Sequence, residues 1–136
     1  MGKLRHIALS VPDPWKAAKF YEKTFGMKRV GETDSSLSVG VFLSDGVIHL
    51  ALLNYKSNEA AGAERGKDYC GVHHFGFWVD DLEESQKKIE SNGGTYFMGT
   101  PAVKSNTQFE VKFRDPDGII FDVTHLGWHG ASKDIS

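Results

Sequence analysis

The run HIALSVPD, His6 to Asp13, returns 68 residues later as HFGFWVDD, His74 to Asp81, and the same shift lays Gly26 over Gly94. A match that spans a strand, a turn and a helix marks an internal duplication, and the duplication decides the fold. In the first copy His6 to Val11 alternates as a half-buried strand does, Asp13 caps a helix, and Pro14 takes its first position. Ala17, Phe20, Tyr21 and Phe25 supply the apolar stripe of that helix, and Gly26 ends it. In the second copy Asp81 and Glu84 have capping-box spacing, Leu82 and Ile89 lie on the buried face, and Asn92-Gly93-Gly94 stops the helix.

Working outward, each helix precedes three extended runs. They are Met27 to Thr33, Leu37 to Ser44 and Val47 to Leu53, then Thr95 to Met98, Phe109 to Arg114 and Ile119 to His125. The last run of each set is entered through an Asp-Gly turn, Asp45-Gly46 or Asp117-Gly118. The pattern predicts an α+β fold of two tandem βαβββ modules, forming a curled mixed sheet with the helices on its outer face. One domain covers 1–136, with module one at about 4–54, a polar connecting loop at about 55–71, module two at about 72–126 and a short tail.

Composition narrows the function classes. Hydrophobic residues at 40% and charged residues at 25% are those of a globular domain, which excludes disordered and fibrous chains. Lys and Arg number 16 against 18 Asp and Glu, with no basic run to track a phosphate backbone, so nucleic acid is not the expected partner. The one cysteine, Cys70, forms neither an internal disulfide nor a thiolate cluster. The first residues do not read as a signal peptide, and no apolar stretch reaches membrane-spanning length. These features predict a soluble cytoplasmic protein.

Strand parity selects the candidate site. His6 shares a face with Ala8 and Ser10, opposite Ile7, Leu9 and Val11, while His74 shares a face with Gly76 and Trp78, opposite Phe75, Phe77 and Val79. On the closing strands His49 lies with Ala51, and Asp122 with Thr124. All four polar residues thus fall on faces the helices do not cover. Two positions beyond each stand Ala8, Ala51, Gly76 and Thr124, all small, as a cavity admitting a ligand beside a metal requires. Three imidazoles and a carboxylate suit Zn, Fe, Mn, Co or Ni better than Ca or Mg. His73 and His125 alternate to the opposite face and His129 lies in the tail, so solvated or supporting roles are expected of these three.

The segments HIALSVPDPWKAAKFYEKTFGMK, VIHLALL, GVHHFGFWVDDLEESQKKIESNGG and FRDPDGIIFDVTH, in this order, resemble the vicinal oxygen chelate superfamily, which includes glyoxalases, methylmalonyl-CoA epimerases, extradiol dioxygenases and bleomycin resistance proteins. The resemblance implies one divalent metal held by the first and fourth strands of two cups, here His6, His49, His74 and Asp122. Glyoxalase-like members usually carry Glu or Gln at the second of these positions and Glu at the fourth, where this chain has His49 and Asp122. The resemblance also implies a homodimer and a small-molecule substrate.

Three functions are set against one another. The first is a metal-dependent lyase or isomerase whose substrate chelates the metal through vicinal oxygens, with Asp122 and His49 as catalytic groups and Trp78, Ala8, Ala51, Gly76 and Thr124 around the substrate. The second is an extradiol-type dioxygenase, with His6, His74 and Asp122 holding non-haem Fe(II) and His49 acting on the substrate. The third is a small-molecule binding protein with an aromatic groove drawn from Trp15, Trp78, Tyr96 and Trp128. Loops Tyr55 to Tyr69 and Gly99 to Thr107 are expected to set specificity.

Overall fold

The computed structural model describes residues 1–99 and 110–135. Its elements in chain order are β1 (Lys3–Ser10), α1 (Pro14–Phe25), β2 (Lys28–Asp34), β3 (Ser38–Ser44), β4 (His49–Tyr55), α2 (Asn58–Ala61), β5 (Gly71–Trp78), α3 (Leu82–Ser91), β6 (Thr95–Met98), β7 (Val111–Arg114) and β8 (Ile120–Thr124). Both βαβββ modules are present. The expected loop from Gly99 to Thr107 falls, past Gly99, outside the described residues.

The caps act as the sequence predicts. The Asp13 carboxylate accepts from the backbone N–H groups of Trp15 and Lys16, Gly26 leaves α1 at φ 71°, and Asp81 accepts from the N–H of Glu84. The buried stripe of α1 differs from the one expected. Pro14 and Ala18 are buried, with Ala17 and Tyr21 packed beside them, whereas Phe20 and Phe25 are 57% and 69% exposed. Positions 14, 17, 18 and 21 follow the i, i+3, i+4, i+7 spacing of one helix face, and Phe20 and Phe25 fall off it. Below α1 lie Val41, Leu43 and Leu52, and below α3 lie Val111, Phe113 and Val123.

The eight strands form one mixed sheet in the order β2-β3-β4-β1-β5-β8-β7-β6. β1 runs parallel to β4, β5 runs parallel to β8, and β1 and β5 meet antiparallel at the centre. There Ile7 pairs with Phe75, its own counterpart in the duplication, so an approximate two-fold axis passes between them. Each side of this pairing carries one extra residue, Arg5 in β1 and His73 in β5, which are again counterparts. No helix among the described residues is long and apolar enough to cross a membrane.

Linker and tail are both part of the folded unit. The linker contains α2, capped by the Ser57 hydroxyl, where a plain loop was expected. The tail returns across the sheet: Arg5 donates to the carbonyls of Ser132 and Lys133, at 2.7 and 3.1 Å, and Trp128 is 3% exposed. The indole of Trp128 lies over Gly76, where a Cβ would come within 3.0 Å of the ring and 3.1 Å of the Asp122 Cβ. Gly76→Val should therefore push Trp128 out and destabilise the protein by about 1–3 kcal/mol, as overpacking does. Denaturant titration followed by tryptophan fluorescence checks this, with a red-shifted native emission as the accompanying sign.

Candidate metal centre

Register places one row of residues across the open face of the sheet. Ser44 stands beside His49, His49 beside His6, His6 beside Gly76, Gly76 beside Asp122, and Asp122 beside Lys112. The adjoining row carries Phe42, Ala51, Ala8 and His74. Adjacent partners in a sheet share a face, so two short rows bring both modules' polar side chains together within one chain.

His6 occupies the centre. Its Nε2 lies 3.2 Å from His74 Nε2, its Nδ1 lies 2.9 Å from His49 Nδ1, and its ring stacks on Trp128 with centroids 4.7 Å apart and planes 7° from parallel. Asp122 Oδ2 lies 3.1 Å from His74 Nε2 and 3.9 Å from His6 Nε2, while Asp122 Oδ1 accepts from Lys112 Nζ at 2.7 Å. Glu110 joins this group, its Oε1 accepting the indole N–H of Trp128 at 2.8 Å. One ligand-type atom from each of His6, His74, Glu110 and Asp122 lies within 4.8 Å of the other three.

Of the four residues selected by parity, His6, His74 and Asp122 converge. His49 is fully buried and stacks on His6 at 5.0 Å, touching the back of that ring and standing outside the converging group; its Nε2 has no hydrogen-bond partner. Strand register explains the difference. His49 pairs with His6, but Asp122 pairs with Gly76, so the first-module counterpart of Asp122 is Ala51, which pairs with Ala8. Sequence alone made His49 and Asp122 equivalent, and the two strands are offset by one side-chain repeat.

Donor chemistry fits a cation. Atoms bound to one zinc at about 2.0–2.2 Å in a tetrahedron are roughly 3.2–3.6 Å apart, and the three observed separations of 3.1, 3.2 and 3.9 Å bracket that spacing. Asp122 Oδ2 is buried without a hydrogen-bond partner, although it is aimed at two imidazole nitrogens. A buried carboxylate oxygen in that position is costly unless positive charge lies between.

A cavity of about 670 Å³ opens beside this group, walled by Phe42, Leu53, Tyr55, Phe97 and Met98, with Lys112 as the cation among its described lining residues. Ala51 lines it. Ala8, Gly76, Thr124 and Trp78 do not: Ala8 and Gly76 make room for the site's own side chains, the Thr124 hydroxyl accepts from Leu126 N–H, and the Trp78 indole donates to the His125 carbonyl. Small residues here accommodate protein side chains, where a ligand was expected. Trp15 is 38% exposed on α1 and Tyr96 is 49% exposed, and neither lines this cavity.

Sequence reasoning missed His73, Glu64, Glu110 and Lys112. His73 is buried and lines the cavity beside His74 because, as the extra residue of a bulge, it escapes strict alternation. Lys112 Nζ also lies 3.3 Å from Glu64, a linker residue for which no periodic signal exists. Burial works to lower the Lys112 ammonium, but Asp122, Glu64 and Glu110 more than offset it. Burial pushes the Glu110 carboxyl up to about 7, with Asp122 adding to the shift. It also pushes His6, His49 and His74 each down to about 3, so all three are neutral ligands or acceptors near neutral pH.

The family described as Glyoxalase/Bleomycin resistance protein/Dioxygenase superfamily has a sequence profile that matches residues 3–123. Among curated relatives, the probable chloroplastic lactoylglutathione lyase of Arabidopsis thaliana is 27% identical over 133 residues, covering 92% of this chain and 36% of the plant protein. The mitochondrial methylmalonyl-CoA epimerase of Homo sapiens is 32% identical over 101 residues, covering 67% of this chain and 57% of the human one. The chain thus spans about a third of the plant relative and somewhat over half of the human one. The solved methylmalonyl-CoA epimerase of Streptomyces coelicolor superposes with a TM-score of 0.72 at 20% identity, over 89% of this chain and 94% of that one, and shares its fold.

The depressed histidines set the pH response of the metal-free protein. Each ordinarily titrates near 6.5, so the unfolded chain takes up protons there, while the folded chain resists until about 3. Stability is therefore present above 6.5 and lost as pH falls; Glu110, which holds its proton to about 7 when folded, opposes with one carboxyl against three imidazoles. The denaturation midpoint of chelator-treated protein should drop continuously from pH 7 to pH 5. An unchanged midpoint over that range would show the three rings to be solvated.

Proposed function

The chain belongs to the Glyoxalase/Bleomycin resistance protein/Dioxygenase superfamily, and on that premise we propose that it is a divalent-metal-dependent lyase or isomerase of the glyoxalase type, acting on a small substrate that chelates the metal through two neighbouring oxygens. The observation that carries this reading is the convergence of His6 Nε2, His74 Nε2 and the unpartnered Asp122 Oδ2, with His6, His74 and Glu110 lining the cavity and Asp122 buried behind them. A lyase and an epimerase among the curated relatives support it.

His6, His74 and Asp122 hold the cation, with Glu110 nearest as a fourth group and Zn, Fe, Mn, Co or Ni all compatible with the nitrogen and oxygen donors. When bound, the cation supplies Lewis acidity that makes the C–H beside a chelated carbonyl more acidic. Asp122 removes and returns that proton, its other oxygen held by Lys112. His49, fully buried along the cavity wall, supports the His6 ring on which it stacks. Phe42, Leu53 and Phe97 enclose the apolar part of the substrate, and burial raises the Tyr55 phenol so that it stays a donor. A homodimer remains a proposal on which the site does not depend, since every residue named comes from one chain.

An extradiol-type dioxygenase is the second reading, favoured by one feature: His49 stands outside the converging group, so His6, His74 and Asp122 would supply the two-histidine, one-carboxylate donor set that suits Fe(II), with Glu110 beside them.

Metal-stripped protein should take up zinc or cobalt stoichiometrically in a calorimetric titration; His6→Ala or His74→Ala should abolish tight uptake, and His129→Ala should leave it unchanged. Asp122→Asn should keep much of the metal while substrate C–H exchange falls by about 10²–10⁴-fold. Exchange next to a carbonyl in anaerobic zinc-loaded protein supports the lyase or isomerase. Activity that requires both iron and O₂ identifies the dioxygenase instead.

A further inference from the structure

Which nitrogen of His74 faces the site is decided outside the site. The carbonyl of Ala61, in the last turn of α2, belongs to the helix-terminal set that lacks an intrahelical partner, and it lies 2.7 Å from His73 Nε2. A carbonyl only accepts, so His73 Nε2 carries the proton. Neutral imidazole has a single N–H, which leaves His73 Nδ1 bare. His73 Nδ1 lies 2.7 Å from His74 Nδ1, a contact that requires one proton between them, and only His74 can provide it. His74 is thereby protonated at Nδ1 and bare at Nε2, the atom 3.1 Å from Asp122 Oδ2 and 3.2 Å from His6 Nε2.

We propose that Ala61 and His73 form a tautomer lock that holds His74 in the metal-ligating form before any cation arrives, and that His73 is a positioning residue; the second clause rests on the metal-site reading above. Every link is enclosed. His73 and His74 are each 7% exposed, and the Tyr55 hydroxyl approaches His73 Nδ1 at 3.4 Å as a second donor to the same lone pair. The Glu64 carboxylate stands 3.7 Å from His73 Nε2, farther than the Ala61 carbonyl. The bulge makes the contact possible, since it lets two consecutive residues of β5 turn to one side. The lock is one-sided. His6 Nδ1 meets His49 Nδ1 at 2.9 Å in the same manner, but His49 Nε2 has no carbonyl behind it, and Arg5, the counterpart of His73, is turned to the tail.

Long-range ¹H–¹⁵N correlation spectra of metal-free, ¹⁵N-histidine-labelled protein near neutral pH read the tautomers directly. His73 should show its proton on Nε2 and His74 on Nδ1. His73→Phe keeps a ring in place but removes the acceptor: His74 should then populate the Nε2–H form, and zinc affinity should fall by about 10–100-fold, as when other outer partners of metal-bound histidines are removed. His73→Gln, whose amide oxygen accepts from His74 Nδ1–H, should regain most of the affinity. A wild-type His74 protonated on Nε2, or a His73→Phe protein with unchanged affinity, overturns the proposal. If the substituted proteins do not fold, the wild-type spectrum alone decides. Tautomers as stated in a protein that binds no cation would uphold the lock and refute the metal reading.

Discussion

The antiparallel pairing of β1 with β5 about Ile7 and Phe75 is the constraint on which the rest depends. Because the two strands are duplicates, their pairing sets each histidine opposite the small residue of the other copy, His6 against Gly76 and Ala8 against His74. Two rings that start on different strands can then turn their Nε2 atoms to within 3.2 Å of each other. The parallel strands β4 and β8 extend the same rows outward and bring His49 and Asp122 alongside. Shift the central register by one residue and the side chains of one strand turn to the opposite face, parting His6 from His74.

Duplication supplies the frame, and departures from it supply the chemistry. Asp122 stands where the first module has Ala51, His73 where it has Arg5, and the helix-terminal carbonyl of Ala61 comes from a linker without counterpart. The result is a site with one charged corner, Asp122 with Lys112, Glu64 and Glu110, and one open wall at Ala51, Phe42 and Leu53.

Much of this was legible in the residues. Strand alternation and the Asp-Gly turns placed both modules, and parity put His6, His74 and Asp122 on the open face. Parity could not reveal a bulge, which is why His73 was assigned to the wrong side, nor the offset between β4 and β8, which separates His49 from Asp122. Small residues beside the histidines were read as room for a ligand, whereas the Trp128 ring over Gly76 fills much of that space. Trp128 and Glu64 lie in segments without periodic pattern, so long-range packing alone fixes them.

X-ray absorption at the metal edge of cobalt- or zinc-loaded protein bears most directly on the central claim, that His6, His74 and Asp122 form one cation site. The account predicts a first shell of mixed nitrogen and oxygen donors at about 2.0–2.2 Å, with outer-shell scattering from two imidazoles that falls to one in His74→Ala. A first shell of oxygen alone, or two-imidazole scattering that survives His74→Ala, would contradict it.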